Sequence, residues 1–238
     1  MKSTFWIRSL PQNPPIHPLA NWVVMPLIKD YKGPMGKISA YYSALWPGHR
    51  PHGIHQHPEE EMIILLNGEL EIISPDHRIR IGPGSCFHHP PGDLHTIESV
   101  GNEPASFLIF KWIEELKPKL QKDFTAQFHL FDPIELQAWD SQKPHQQKQI
   151  WKNQPLANGG SLTFYRAYHH PYTGFPIHFH DYDVMAILLT GQMDILGFVA
   201  TAPSIIYYSA GILHGLAPTS PEAINYLEFQ FHQPPITR

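Results

Sequence analysis

A single cysteine, Cys86, in 238 residues leaves no partner for an internal disulfide, so nothing in the chain calls for an oxidising compartment. Charge is sparse as well. Asp, Glu, Lys and Arg make up 16% of residues with a net charge of -4, and the basic residues are scattered rather than striped, which gives no footprint for nucleic acid or an anionic membrane. No stretch approaches the roughly 18 consecutive apolar residues that span a bilayer. The longest apolar runs, around Met62 to Leu66 and Val184 to Leu189, have the length of strands. Helical periodicity is never sustained, and 25 prolines work against long helices. The opening MKSTFWIRSLPQNPP holds no apolar run of signal-peptide length before its prolines. These absences predict a cytoplasmic protein whose partners are small molecules, with no nucleic acid and no membrane among them. No nucleotide-binding glycine loop, HExxH helix or GxSxG elbow is present, and Gly82-Pro83-Gly84-Ser85 reads as a turn rather than a phosphate cradle.

What the chain does have is apolar material, at 42% with 13 phenylalanines, enough for one large core or two smaller ones. From Lys37 onward, short β-branched and aromatic runs alternate with turn signals, as in KISAYYSAL, PGHRPHG and MIILLNGELEIIS, the pattern of antiparallel strands and hairpins. Asn67-Gly68 between two apolar runs suits a type I′ turn. The order then repeats. His55-Gln56-His57 superposes on His178-Phe179-His180 at an offset of 178 − 55 = 123, which also sets Gly68 on Gly191 and Tyr42 on Tyr165. After a four-residue shortening the offset is 214 − 95 = 119, setting Gly92 on Gly211, His95 on His214, Leu108 on Leu227 and Phe110 on Phe229. Residues 1–30 read as an extended Pro-rich arm anchored by Trp6, Trp22 and Val23-Val24, and the polar stretch 114–158 as a connector with short helical turns near Ile134 to Trp139. The expected organisation is an all-β fold: a first half over 1–113 that includes the arm, the connector over 114–158, and a second half over 159–238.

The 17 histidines are the other unusual count, and neutral imidazoles are metal-competent near neutral pH. Side chains two apart on a strand share a face, so His55 and His57 present two imidazoles together. Pro58 breaks that strand, and the next begins with Glu61, which shares its face with Ile63 and Leu65. A carboxylate entering an apolar lining needs a partner. In HPPGDLH, Pro90 and Gly92 form a rigid turn that feeds His95 into the following strand. Three imidazoles and a carboxylate make a mixed N/O set that suits divalent iron, manganese, nickel, cobalt or zinc, with one or two positions open to water or substrate.

These residues resemble the two motifs of the cupin superfamily. Gly48, His55, His57, Glu61 and Gly68 match the first motif, with Gly48 set one residue farther from His55 than usual. Gly84, Pro90, Gly92 and His95 match the second, with Ser99 where an Asn often stands. The resemblance implies two tandem cupin-type β-barrels (the double-stranded β-helix or jelly roll), with one divalent metal held by His55, His57, Glu61 and His95. In the second half His178, His180 and His214 stand at the matching places, but Val184 replaces the carboxylate. Asp183 has the wrong parity to substitute for it unless a bulge intervenes. Two readings stay open there: a second, three-histidine metal site resembling that of thiol dioxygenases, or a degenerate barrel whose histidines bind ligand or hydrogen-bond.

By family analogy the function is a metal-dependent enzyme acting on a small carboxylate, keto-acid or enol. A dioxygenase comes first, and an isomerase, lyase or decarboxylase is the alternative. The contrasting class is a non-catalytic binding module with a structural metal. Arg50, just ahead of the ligand pair, is a candidate to grip a substrate carboxylate, against an exposed loop arginine as the plainer reading. Arg166 invites the same question in the second half. His88 and His89 are candidates for proton transfer or for supporting a ligand, and Cys86 reads as a buried small hydrophobe. A homodimer built through strand edges is a further expectation.

Overall fold

The computed structural model describes residues 5–11, 20–33, 36–113, 127–130, 143–157, 159–218 and 221–233. Among them every regular element is a strand, and the chain divides into two compact units.

The unit formed mainly by the first half is built on a six-stranded sheet. Its strands are β2 (Trp22–Gly33), β3 (Gly36–Leu45), β4 (Glu60–Asn67), β7 (Cys86–His89), β9 (Ala105–Ile113) and β10 (Gln127–His129), in the order β10-β7-β4-β9-β3-β2. A three-stranded sheet made by β5 (Leu70–Ile73), β6 (Arg78–Ile81) and β8 (Thr96–Ser99) packs against it. Alternation explains the packing: Ile63, Leu65, Phe87 and Phe107 point from the large sheet onto Leu70, Ile72, Ile81 and Ile97 of the small one, forming one buried cluster.

The other unit repeats the plan. Its large sheet runs β1-β17-β14-β19-β12-β11, with β1 (Phe5–Ser9), β11 (His145–Pro155), β12 (Ser161–His169), β14 (Asp183–Thr190), β17 (Ser204–Tyr208) and β19 (Ile224–His232). The smaller sheet is β13-β18-β15-β16, from β13 (Phe175–His178), β15 (Gln192–Ile195), β16 (Phe198–Thr201) and β18 (His214–Pro218). Two facing sheets of this order are the jelly-roll architecture expected for the all-β chain.

Three local expectations change. The described parts of residues 1–30 are largely strand rather than an extended arm. β1 pairs antiparallel with β17, Phe5 opposite Tyr208, with their rings stacked at 5.4 Å, so the first strand belongs to the second unit. β2 is an edge strand of the first sheet, with Trp22 opposite Leu45. Part of the presumed connector is also sheet: β11 pairs along β12, and β10 along β7. The helical turns expected near Ile134 to Trp139 lie outside the described residues.

The Asn67-Gly68 turn is not type I′. Gly68 has φ 78°, but among described non-glycine residues positive φ is confined to Asn153, Tyr172 and Leu196. Gly68 is required for space as well as for φ, because a Cβ there would lie 2.7 Å from the Ala105 Cα. Its counterpart Gly191, with φ 81°, is crowded in the same way by the Ala223 carbonyl at 2.7 Å.

Candidate metal centre

Backbone pairing brings the two motif segments together. His55 and His95 form an isolated antiparallel bridge, with His55 N–H to His95 O at 3.0 Å and His95 N–H to His55 O at 2.9 Å. The Gly92 N–H donates to His57 O at 2.9 Å, closing the turn onto the second imidazole. Glu61 enters from the start of β4, on the face shared with Ile63 and Leu65, as its parity requires.

The three imidazoles are oriented alike. The Nδ1–H of His55 donates to His95 O at 3.0 Å, that of His57 to Glu59 O at 2.9 Å, and that of His95 to Asp93 O at 2.9 Å. A neutral imidazole has one donor and one acceptor, so each Nε2 is left with a lone pair. Ring nitrogens of His55, His57 and His95 lie within 4.8 Å of one another. Glu61 closes the set, with Oε2 3.4 Å from His57 Nε2 and Oε1 3.3 Å from His95 Nε2. The buried Nε2 atoms of His57 and His95 have no hydrogen-bond partner. Acceptors therefore face acceptors in a buried space, an arrangement that a cation satisfies and that is costly otherwise. The donor set fits a divalent transition metal.

Lys111, on β9 directly opposite Glu61, places Nζ 2.8 Å from Glu61 Oε2. Burial raises the Glu61 carboxyl, but the His57 and His95 rings, when they carry a second proton, and the Lys111 charge outweigh it and hold the group well below the usual carboxylate range. Burial, together with the nearby His52 and His95, lowers His55. Both shifts keep the ligands in metal-binding protonation states. Lys111 was missed in the sequence, although the period-2 run Phe107, Ile109, Lys111 could have revealed it.

The other residues singled out fall into place around this centre. His89 is fully buried, stacked on His95 at 3.6 Å, and its Nδ1–H donates to Asp93 Oδ2 at 2.6 Å. Burial pulls it down to about 4 against that bond. Its ring nitrogen also groups with Glu61 and His95, but near-parallel stacked rings cannot aim two in-plane lone pairs at one ion, so His89 buttresses His95 instead. His88 turns to the other face, where its Nε2 lies 2.8 Å from Glu60 Oε2. Arg50 engages Glu98 Oε2 through both its Nε and a terminal nitrogen, at 2.8 and 2.6 Å, and is not among the residues lining the cavity, which fits the plainer reading of a loop arginine. The nearby carboxylate captured the guanidinium that a substrate was expected to hold. The cavity itself, of about 260 Å³, is walled by Trp22, Val24, Tyr41, Ile97, Phe107 and Ile109, with Glu61, His95 and Lys111 as its charged or titratable end. Cys86 is buried as expected.

The second unit repeats the bridge. His178 and His214 are paired in register, and the Gly211 N–H donates to His180 O at 2.8 Å. Ring nitrogens of His178, His180 and His214 lie within 4.8 Å of one another. The Nδ1–H groups of His178 and His214 donate to Pro176 O and Ile212 O, both at 2.8 Å. Burial, with His214 and His178 nearby, pulls His180 down to about 4. Val184 does occupy the Glu61 position, packed in the apolar cluster. Asp183 faces away, accepting from Tyr207 Oη at 2.7 Å and Ala210 N–H at 2.9 Å. Arg166 is buried and does not line the cavity of this unit.

A jelly roll whose paired motif segments converge three imidazoles and a carboxylate inside one barrel is the architecture of a cupin. Residues 41–111, within the first unit, match the family model of the cupin domain. A stretch of 90 residues is 31% identical to the dimethylsulfoniopropionate lyase DddQ of Ruegeria pomeroyi, covering 37% of this chain and 45% of that protein. The chain thus spans under half of that relative. Among solved structures, a putative glyoxylate-induced protein of Pseudomonas aeruginosa is similar with a TM-score of 0.67 and 14% identity, over 89% of this chain and 80% of the other. A salicylate 1,2-dioxygenase of Pseudaminobacter salicylatoxidans is similar with a TM-score of 0.66 and 9% identity, over 87% and 76%. At such identities the likeness concerns the fold. Among the described residues no helix is long and apolar enough to cross a membrane.

Proposed function

We propose that His55, His57, Glu61 and His95 hold a divalent transition metal and that the first unit is an enzyme acting there on a small carboxylate-bearing molecule. The observation that carries this is the convergence of unpartnered imidazole lone pairs on a buried carboxylate. When bound, the ion supplies Lewis acidity toward a chelating oxygen. The protein's own part is orientation and exclusion of water. Backbone carbonyls fix the three imidazole tautomers, Lys111 holds Glu61 and offers a positive charge to an anionic group, and the apolar walls keep the space dry.

The lyase among its relatives favours an oxygen-independent elimination as the reaction. A dioxygenase is the second reading, favoured by a His/carboxylate set that suits iron. The test is metal analysis of the purified chain, followed by assays with dimethylsulfoniopropionate and other β-substituted carboxylates, with and without oxygen. Keto-acids and phenols serve as oxygen-uptake substrates. Metal-dependent product formation that persists without oxygen and disappears in Glu61→Ala supports the lyase reading. Oxygen uptake lost in the same variant supports the dioxygenase. A chain that binds no stoichiometric metal refutes both. A homodimer accompanies the proposal, and a monomeric mass in light scattering excludes it.

A further inference from the structure

The second unit encloses its own cavity, of about 390 Å³, and the charge inside it differs in kind from that of the first. The repeat shows how. In the first unit Glu61 lies opposite Lys111, and at the next inward-facing step Ile63 lies opposite Ile109. The offsets of 123 and 119 carry these four positions to Val184, Gln230, Ala186 and Glu228. The register repeats, with Val184 opposite Gln230 and Ala186 opposite Glu228. Both charges of the first pair are therefore gone, and a carboxylate stands one step along, facing an alanine where the first unit packs two isoleucines.

That step is two residues, or roughly 6.5 Å along a strand. Glu228 accordingly falls outside the close group formed by His178, His180 and His214. It lines the cavity together with Phe175, Tyr208 and Tyr226, and no lysine or arginine is among the lining residues. Among the described residues its hydrogen-bond donor is its strand neighbour, Gln230 Nε2 to Glu228 Oε1 at 2.7 Å. Burial pushes the Glu228 carboxyl up, against that bond and the influence of His178, as for a carboxylate without a counter-ion. A partly buried carboxylate with no lysine or arginine among the described lining residues, walled by aromatic and aliphatic side chains, favours a positively charged group with apolar substituents.

We infer that the second cavity binds a small organic cation, a protonated alkyl amine, with Glu228 as its counter-ion and Ala186 leaving the room that it occupies. The inference concerns the second unit alone and does not depend on the activity proposed for the first.

The experiment is titration of the full, chelator-treated chain with n-butylammonium, n-butanol and butyrate, followed by calorimetry and ligand-observed NMR. Saturable binding of n-butylammonium is expected, with the neutral and anionic probes weaker by about tenfold or more. Glu228→Gln, which keeps the shape, should weaken the ammonium roughly tenfold to hundredfold. Ala186→Ile, which fills the space, should abolish its binding. Metal uptake by the first unit, measured on the same Glu228→Gln sample, should be unchanged and shows that the chain is folded. No saturable binding of the ammonium, tighter binding of butyrate, or an ammonium affinity indifferent to both substitutions overturns the inference.

Discussion

Glu61→Gln separates a metal centre from a buried cluster of ion pairs, because the two predict different stabilities for the metal-free chain. Glu61 is 4% exposed, with His57, His95 and Lys111 against its oxygens. Were the imidazoles charged partners of Glu61, replacing it would strand buried cations at a cost of about 3–5 kcal/mol. In the geometry described here their Nε2 atoms carry lone pairs, so a glutamine amide can donate to one imidazole while its oxygen accepts from Lys111. The loss is then confined to the ionic part of the pair with Lys111, whose side chain is 28% exposed, worth up to about 1 kcal/mol. Metal reverses the ranking. At about one hundred times its dissociation constant the ion stabilises the wild-type fold by about 2.7 kcal/mol, and a hundredfold weaker site keeps only about 0.4 kcal/mol of that. Urea unfolding of both chains at neutral pH, with chelator and with manganese or zinc, reads all four values. A metal-free variant destabilised by about 3 kcal/mol or more, with no metal effect in either chain, refutes the reasoning.

Three further outcomes follow from the geometry. Val184→Glu should destabilise the metal-free chain, because it buries a carboxylate beside Gln230 rather than a lysine; in a His95→Ala background it should tighten zinc binding by about tenfold or more, read by competition with a chromophoric chelator. His169 is fully buried, and burial with His145 nearby pulls it from 6.5 to about 3. The unfolded chain takes up this proton first, so stability is complete above about pH 6.5 and falls toward pH 3 by at most about 1.4 kcal/mol per pH unit, and His169→Phe should flatten that slope in urea titrations. Gly68→Ala, with φ 78° and its new Cβ 2.7 Å from the Ala105 Cα, should cost about 2–3 kcal/mol by urea unfolding, with no change in metal affinity per folded molecule.

Alternation and spacing made much of this chain legible. His55 and His57, two apart, and Glu61 at the head of an apolar strand could be assigned to one interior, and the parity of Val184 against Asp183 ruled out the tempting carboxylate; Asp183 does bond away from the cavity. Pairing over long sequence distances was not legible. Nothing local marks Phe5 to Ser9 as a strand of the second unit, because its partner, Ser204 to Tyr208, lies some two hundred residues away. Lys111 escaped notice for the same reason: it matters only through its cross-strand neighbour Glu61. The partner of Arg50 was not legible either, because Glu98 reaches it through tertiary structure.

The joint loss of Glu61 and Lys111 in the second unit follows from their proximity. The two side chains meet at 2.8 Å in a mostly buried space, so neither charge is cheap without the other. Replacing the carboxylate alone would leave the ammonium without its counter-ion, and replacing the lysine alone would raise the carboxyl that a metal needs ionised. Val184 opposite Gln230 is a combination that carries no net charge and therefore needs neither partner nor ion. The positions facing away from the cavity have not drifted in this way. Asp183, the counterpart of Glu60 at the offset of 123, is still a buried acid that accepts a backbone N–H, as Glu60 does from Ala157. The scaffold of the repeat is thus held by bonds made on the outer face of β4 and β14, which leaves the inner face free to change its charge and with it the kind of molecule that each cavity can hold.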